Sequence, residues 1–375
     1  MRMKRRFMGI CGLLCLVSVY GEEKIAFWDS QVRRGANNMN EVPTQEWFQA
    51  AAALSIQWVR LAYDKWDTEA QDFLVGDTGN YQGLVPKDLQ RLQEVLCWAD
   101  AQGIRVVLTP LSLPGCRWRQ HNNQRYDSRL WEAYRYQEMA IRFWVDLAQA
   151  LQGYACIVAY NILNEPCPEL GTAIQEQTAV GDAQRFSRWY GQYKHTPRDL
   201  YDFYNRIIAG IRKVDKKTPI MVESGFYAQP PSYAGWPGRL EDSKILYAVH
   251  MYEPYGFTAN SNFRHGGIYS YPGPIPFGGT PIHWDKPTLI RYFAPFEDWI
   301  AVQGIPPNRI VVAEFGCMRR NPGVAAYLED LVSLFEARAY HWAFYAFRED
   351  GWDGYDYELG TRGLPWAYLA GCGTR

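Results

Sequence analysis

The chain is 375 residues long, 47% apolar and 21% charged, with 39 Lys plus Arg against 40 Asp plus Glu. That composition excludes a disordered chain, and a net charge of −1 supplies no basic field for a phosphate backbone, so nucleic acid is not an expected partner. Fifteen Trp, 26 Tyr and 17 Phe exceed what a core requires, and Trp, large and half polar, often stays where something flat stacks on it.

The first element is a targeting signal. Arg2, Lys4, Arg5 and Arg6 precede an apolar run from Phe7 to Val19 that ends in small residues near Gly21. This is the layout of a cleaved secretory peptide over residues 1–21, and the run is shorter than the ~20 residues that span a bilayer. Export to the periplasm or the medium is therefore expected, with no membrane attachment after cleavage. Its removal takes four positive charges and leaves 35 basic against 40 acidic residues. Six Cys remain, at 97, 116, 156, 167, 317 and 372, with no CxxC pair and no spacing that fixes a disulfide framework.

From residue 22 onward a single domain is expected, because no repeat, linker or low-complexity tract divides it. β-Branched runs predict strands over Arg34–Asn38, Ile56–Tyr63, Ile104–Pro110, Cys156–Asn164, Pro219–Ser224, Ile245–Tyr252, Arg309–Phe315 and His341–Phe347. Amphipathic spacing predicts helices over Thr44–Ala53, Pro86–Gln102, Ser128–Leu151, Pro197–Lys213, Pro287–Val302 and Gly323–Arg338. The interval Gln229–Asp242 shows little helical period. Alternating units whose strands are apolar throughout point to an α/β protein, a (β/α)8 TIM barrel. An open doubly wound sheet is disfavoured, since neither GxGxxG nor a Walker loop follows the first strand.

In such a barrel the site lies at the C-terminal strand ends. Strand two carries Arg60, strand four ends in Asn164-Glu165-Pro166, strand six in His250-Met251-Tyr252, and strand seven in Glu314-Phe315-Gly316. Carboxylates at the mouths of strands four and seven face one another, as glycoside cleavage needs. A separation of ~5 Å gives retention of configuration and ~6.5–9.5 Å gives inversion. Asn164 is placed to hold a sugar hydroxyl, Arg60 to keep one glutamate ionised, and His250 with Tyr252 to set the two carboxyl pKa values apart. Glu223, closing strand five, and Glu253, just past Tyr252, are further carboxylates outside this pair. The six His are scattered, with no HxH or HExxH spacing, so no metal site is expected.

In these motifs the chain resembles glycoside hydrolase family 5, the cellulase and mannanase family, over nearly its whole length after residue 35. The resemblance implies Glu165 as acid/base, Glu314 as nucleophile, and Arg60, Asn164, His250 and Tyr252 as substrate-holding residues. It also implies a retaining double displacement with no cofactor, on a β-linked polysaccharide or oligosaccharide, by a monomer. An endo-β-1,4-glucanase is the expected activity; an endo-β-mannanase or an exo-acting β-glucosidase is the alternative, and an inert glycan-binding barrel is a reading of another class. Two positions depart from the family pattern. Many members have a His at the end of strand three, where this chain reads Thr109-Pro110-Leu111-Ser112, and Tyr345 stands where a strand-eight Trp is usual. Trp66, Trp118, Trp236, Trp284 and Trp352 fall in loops after strands and are candidates for sugar platforms, each against the alternative of packing its own loop, with at least two of the set expected in contact with sugar.

Overall fold

The computed structural model describes residues 24–259, 269–349 and 354–357. The expected signal, Trp352 and Cys372 lie outside the described residues. In chain order the strands are β1 (Arg34–Asn38), β2 (Trp58–Leu61), β3 (Arg105–Leu108), β4 (Ile157–Asn161), β5 (Ile220–Glu223) and β6 (Ile245–Met251), then β7 (Gly273–Phe277) and β8 (Thr280–Trp284), and finally β9 (Ile310–Phe315) and β10 (His341–Phe344). Eight of these close a parallel barrel in the order β1-β10-β9-β6-β5-β4-β3-β2. They are the eight expected strands. Most are shorter than their apolar runs, because the final residues of those runs leave the ladder and turn into the mouth of the barrel.

The helices between the strands are α1 (Gln45–Ala53), α2 (Pro86–Ala101), α3 (Tyr134–Leu151), α4 (Gln184–Tyr193), α5 (Leu200–Ile211), α6 (Lys286–Gln303) and α7 (Val324–Ala337). Thr44 caps α1 by accepting from the Trp47 N–H, and Pro86 opens α2, as their sequences require. Helix α3 starts later than expected, because a 3-10 turn at Arg129–Trp131 intervenes. Helix α5 begins at Leu200 rather than Pro197, capped by Asp199, whose carboxylate accepts from the Asp202 N–H. The weakly patterned interval between β5 and β6 holds a 3-10 run, Pro230–Gly235. Helix α4 and the antiparallel hairpin β7–β8 were not expected. The hairpin had a signal: Gly278-Gly279, at φ 58 and 79, follows the alternation of exposed Pro274 and Pro276 with buried Ile275 and Phe277.

Inside the barrel, Trp58, Val107, Val158, Met221, Leu246, Val311 and Ala343 fill the lower layers. Gly35 on β1 leaves room for Trp58; a Cβ there would lie 2.5 Å from Trp58 Cε2. A short turn, Ala26–Asp29, closes the base with fully buried Trp28, whose indole donates to the Val158 carbonyl at 3.0 Å. A larger cluster between the strands and helices forms the outer core. With its base plugged and its flanks covered, the barrel leaves its polar side chains only the C-terminal mouth.

Candidate active site

At that mouth the Arg60 guanidinium, fully buried on β2, gathers five side chains. Nη1 donates to Glu314 Oε1 at 2.5 Å and Nη2 to Glu223 Oε1 at 2.5 Å and Asn164 Oδ1 at 2.8 Å. Nε donates to Asn161 Oδ1 at 2.8 Å, and Nη1 also reaches Asn37 Oδ1 at 3.4 Å. Only a planar fork of donors can serve so many acceptors, from β1, β4 and its end, β5 and β9, at once.

The other side of the site is built by His250 at the end of β6. Nδ1 lies 3.0 Å from Glu165 Oε1 and 3.8 Å from Glu314 Oε1, and Nε2 lies 3.4 Å from Glu223 Oε1. Glu314 is held on both oxygens, since Tyr252 Oη donates to Oε2 at 2.9 Å. Glu165 has a left-handed backbone, φ 48, and its N–H donates to Glu223 Oε2 at 2.7 Å. That unfavourable conformation is maintained because the surroundings fix it.

These contacts set the charges. Burial alone would lower the His250 pKa, but Glu314 and Glu223 outweigh it and raise it to about 10, so the ring is a cation at neutral pH. Burial would raise Glu223, yet His250 and Arg60 bring it down to about 2. Glu165 is pushed above the usual carboxylate range, first by burial and then by Glu314 and Glu223, against the opposing hydrogen bond of His250. One atom each of Glu165, His250 and Glu314 lies within 4.8 Å of the others, a set a metal ion could in principle use. Arg60 and protonated His250 already stand among these carboxylates as their cationic partners.

Buried carboxylates away from this centre pin the mouth loops by accepting backbone N–H groups. Asp64 holds Leu111 and Ser112, Glu169 holds Phe226, Glu253 holds Tyr255, and Glu349 holds Met39, Asn40 and Glu41. Thr109, in the strand-three run that lacks a His, donates to Asn161 Oδ1 at 3.1 Å and so joins the Arg60 network. Tyr345 lines the cleft and its hydroxyl accepts from Asn40 Nδ2 at 2.9 Å.

The chain matches the family model described as Cellulase (glycosyl hydrolase family 5) over residues 23–351. It belongs to that family. An endoglucanase from Thermotoga maritima superposes with a TM-score of 0.65 at 18% identity, covering 93% of this chain and 96% of the other. The cellulose synthase subunit Z from Clostridioides difficile gives 0.65 at 18% identity over 92% and 100%. At that identity the likeness is one of fold. A β-xylosidase from Phanerodontia chrysosporium is 26% identical over 186 residues, which take in 49% of this chain and only 33% of the relative.

The family 5 motifs named from the sequence converge: Arg60, Asn164, Glu165, His250, Tyr252 and Glu314 meet at one point, and Trp118 and Tyr345 line the cleft around it. Glu223, set outside the pair by its sequence, stands at the centre. The Trp platforms need correction. Trp66, Trp236 and Trp284 are buried and pack against Phe73, Tyr233 and Phe277, inside their own loops or the β7–β8 hairpin. The exposed aromatics of the cleft are instead Tyr126, 48% exposed, and Tyr255, 57% exposed. Tyr126 is held flat by Arg119, 4.3 Å over its ring, and by the Tyr227 hydroxyl at 2.8 Å. Tyr227 itself sits in a run of left-handed residues, Phe226 to Ala228, that aims it across the cleft mouth.

Proposed function

We propose that this protein is a retaining β-glycoside hydrolase that cleaves β-1,4-linked glucan internally, with Glu165 as acid/base and Glu314 as nucleophile. The observation that carries this is the carboxylate pair. An oxygen of each lies within 4.8 Å of the other, the spacing of a direct attack rather than of a water held between them, and their surroundings differ. Glu314 is fixed between the Arg60 cation on one oxygen and the Tyr252 hydroxyl on the other. Glu165, lifted above the usual carboxylate range and 19% exposed to the cleft, is suited to give up a proton.

In the first step a Glu314 oxygen bonds to the anomeric carbon as the glycosidic C–O bond breaks, and the Glu165 proton passes to the departing oxygen. In the second, Glu165 takes a proton from water, the hydroxyl bonds to the anomeric carbon, and the bond to Glu314 breaks. Asn164 and Tyr345 border the sugar at the reacting position. A cleft of about 920 Å³, flanked by Tyr126, Trp118 and Tyr255, accommodates a chain running past the pair, which supports internal cleavage. Glucan as substrate is supported by family membership and by the T. maritima neighbour, whose solved structures include cellobiose and mannotriose complexes. The name of the fungal relative favours xylan as a second reading. The basic-then-apolar start supports export, and Edman sequencing of protein recovered outside the cell tests whether it begins near Glu22.

Reducing-sugar release from carboxymethyl cellulose, mixed-linkage β-glucan, mannan and xylan tests the substrate. Glu165→Ala and Glu314→Ala are expected to lose at least about 10³-fold in turnover on natural substrate. Azide should restore Glu314→Ala with an α-glycosyl azide and Glu165→Ala with a β-glycosyl azide. Full activity in either variant, or the opposite pattern of azide products, refutes the assignment.

A further inference from the structure

Three carboxylates and two cations are enclosed at the barrel mouth: Glu165, Glu223 and Glu314 with Arg60 and His250. A buried cluster is most stable when its charges cancel, which here requires one proton among the three acids. Glu223 is the least able to take it. Its side chain is fully buried, it meets both cations, and its second oxygen accepts the Glu165 N–H. Glu314 is bonded to Arg60 on one oxygen and Tyr252 on the other. Glu165 has His250 as its one side-chain partner among the described residues and is the most exposed of the three.

We propose that Glu223 is a positioning residue whose fixed negative charge keeps the catalytic proton on Glu165, while its oxygen holds the Glu165 main chain in its left-handed turn. Without that charge, two carboxylates would balance two cations, and Glu165 would have no electrostatic reason to stay protonated. Every charged or titratable group facing Glu165 enters this balance: Arg60 from β2, Glu223 from β5, His250 and Tyr252 from β6, Glu314 from β9, and Cys167 and Tyr255 from the loops. Neither thiol nor phenol adds charge at neutral pH, since burial raises Cys167, Tyr252 and Tyr255 above their ordinary values. The role differs from that of the acid itself, because Glu223 touches no reacting atom and acts only through its neighbours.

The inference rests on Glu165 being the acid, so the azide experiment on Glu165→Ala and Glu314→Ala is run first; if that fails, the functional reading fails with it. The decisive variant is then Glu223→Gln, which keeps the shape and one of the two acceptor oxygens but removes the charge. Aryl glycosides with good leaving groups leave without a proton, whereas poor ones need it. The proposal expects Glu223→Gln to lose at least about tenfold more kcat/KM on a 4-methylphenyl than on a 2,4-dinitrophenyl glycoside, with the basic limb of its pH profile moved to lower pH. Glu223→Asp should recover the limb toward wild type. Equal losses on both substrates with an unmoved limb overturn the proposal and leave Glu223 a structural ion-pair partner. Should Glu223→Gln fail to fold, Glu223→Ala measured with and without added formate decides. Formate that restores the rate on the 4-methylphenyl glycoside and returns the basic limb toward wild type supports the proposal, and no restoration overturns it.

Discussion

Arg60 Nη1 stands 2.5 Å from Glu314 Oε1, and the other terminal nitrogen of the same guanidinium stands 2.5 Å from Glu223 Oε1, so one fully buried cation serves two carboxylates. A lysine ammonium could approach one of them but not hold both in plane. Arg60→Lys is expected to lower kcat by roughly 10²-fold, in the range of removing a preorganised donor. Arg60→Met, which strands two buried anions, should also cost about 3–5 kcal/mol of stability in urea unfolding.

The rim tyrosines predict a split between long and short substrates. Tyr126→Ala and Tyr255→Ala remove exposed rings from the cleft edge but leave the centre untouched. Each should raise KM on polysaccharide by about 3–10-fold, equivalent to roughly 1 kcal/mol of stacking. Hydrolysis of an aryl monosaccharide should change by less than twofold. Trp66→Phe, by contrast, should alter thermal stability without altering KM, since Trp66 is buried.

Glu169 gives a pH dependence of known sign. Burial raises its pKa from 4.5 to about 7, against the opposing Phe226 N–H and the Arg198 charge. The folded protein therefore holds this proton more tightly than the unfolded chain does. The resulting stability is fully present below about pH 4 and is lost as pH rises through 7. Between pH 5 and 8 the melting temperature is expected to fall, and Glu169→Gln should flatten that slope. An unchanged slope in the variant would rule out Glu169 as its source.

Gly35→Ala tests the barrel interior. The added methyl would sit 2.5 Å from Trp58 Cε2, with Trp58 already fully buried. Overpacking of this kind costs about 1–3 kcal/mol, and a matching drop in unfolding free energy is expected with substrate affinity unchanged.

The barrel was legible because its strands are apolar on both faces, so each announces itself without alternation, and the polar residue closing each run marks the mouth. Arg60, Asn164, Glu165, His250, Tyr252 and Glu314 followed from those ends. Glu223 closes a strand in the same way, but nothing local separates it from a carboxylate facing solvent. Its meaning comes from Arg60, 163 residues earlier in the chain, and that neighbour exists only once the barrel has closed. The tryptophans misled for a related reason. A loop position says that a side chain is near the mouth, while its direction depends on whether it can reach the core between strands and helices, which Trp66, Trp236 and Trp284 join. Tyr126 carries no sequence mark at all. Arg119 and Tyr227 make it a platform, and Tyr227 comes from the loop of a different strand.

The Trp28 stopper has a practical consequence for anyone handling this protein. Its indole is tied to strand four, the strand that delivers Asn164 and Glu165, so the segment ahead of the first strand is a structural clamp on the strand bearing the proposed acid. Trimming past Ile25 would cut into the turn that carries Trp28, opening the floor of the barrel to water and loosening Glu165 from below, although every residue of the mouth remained in place.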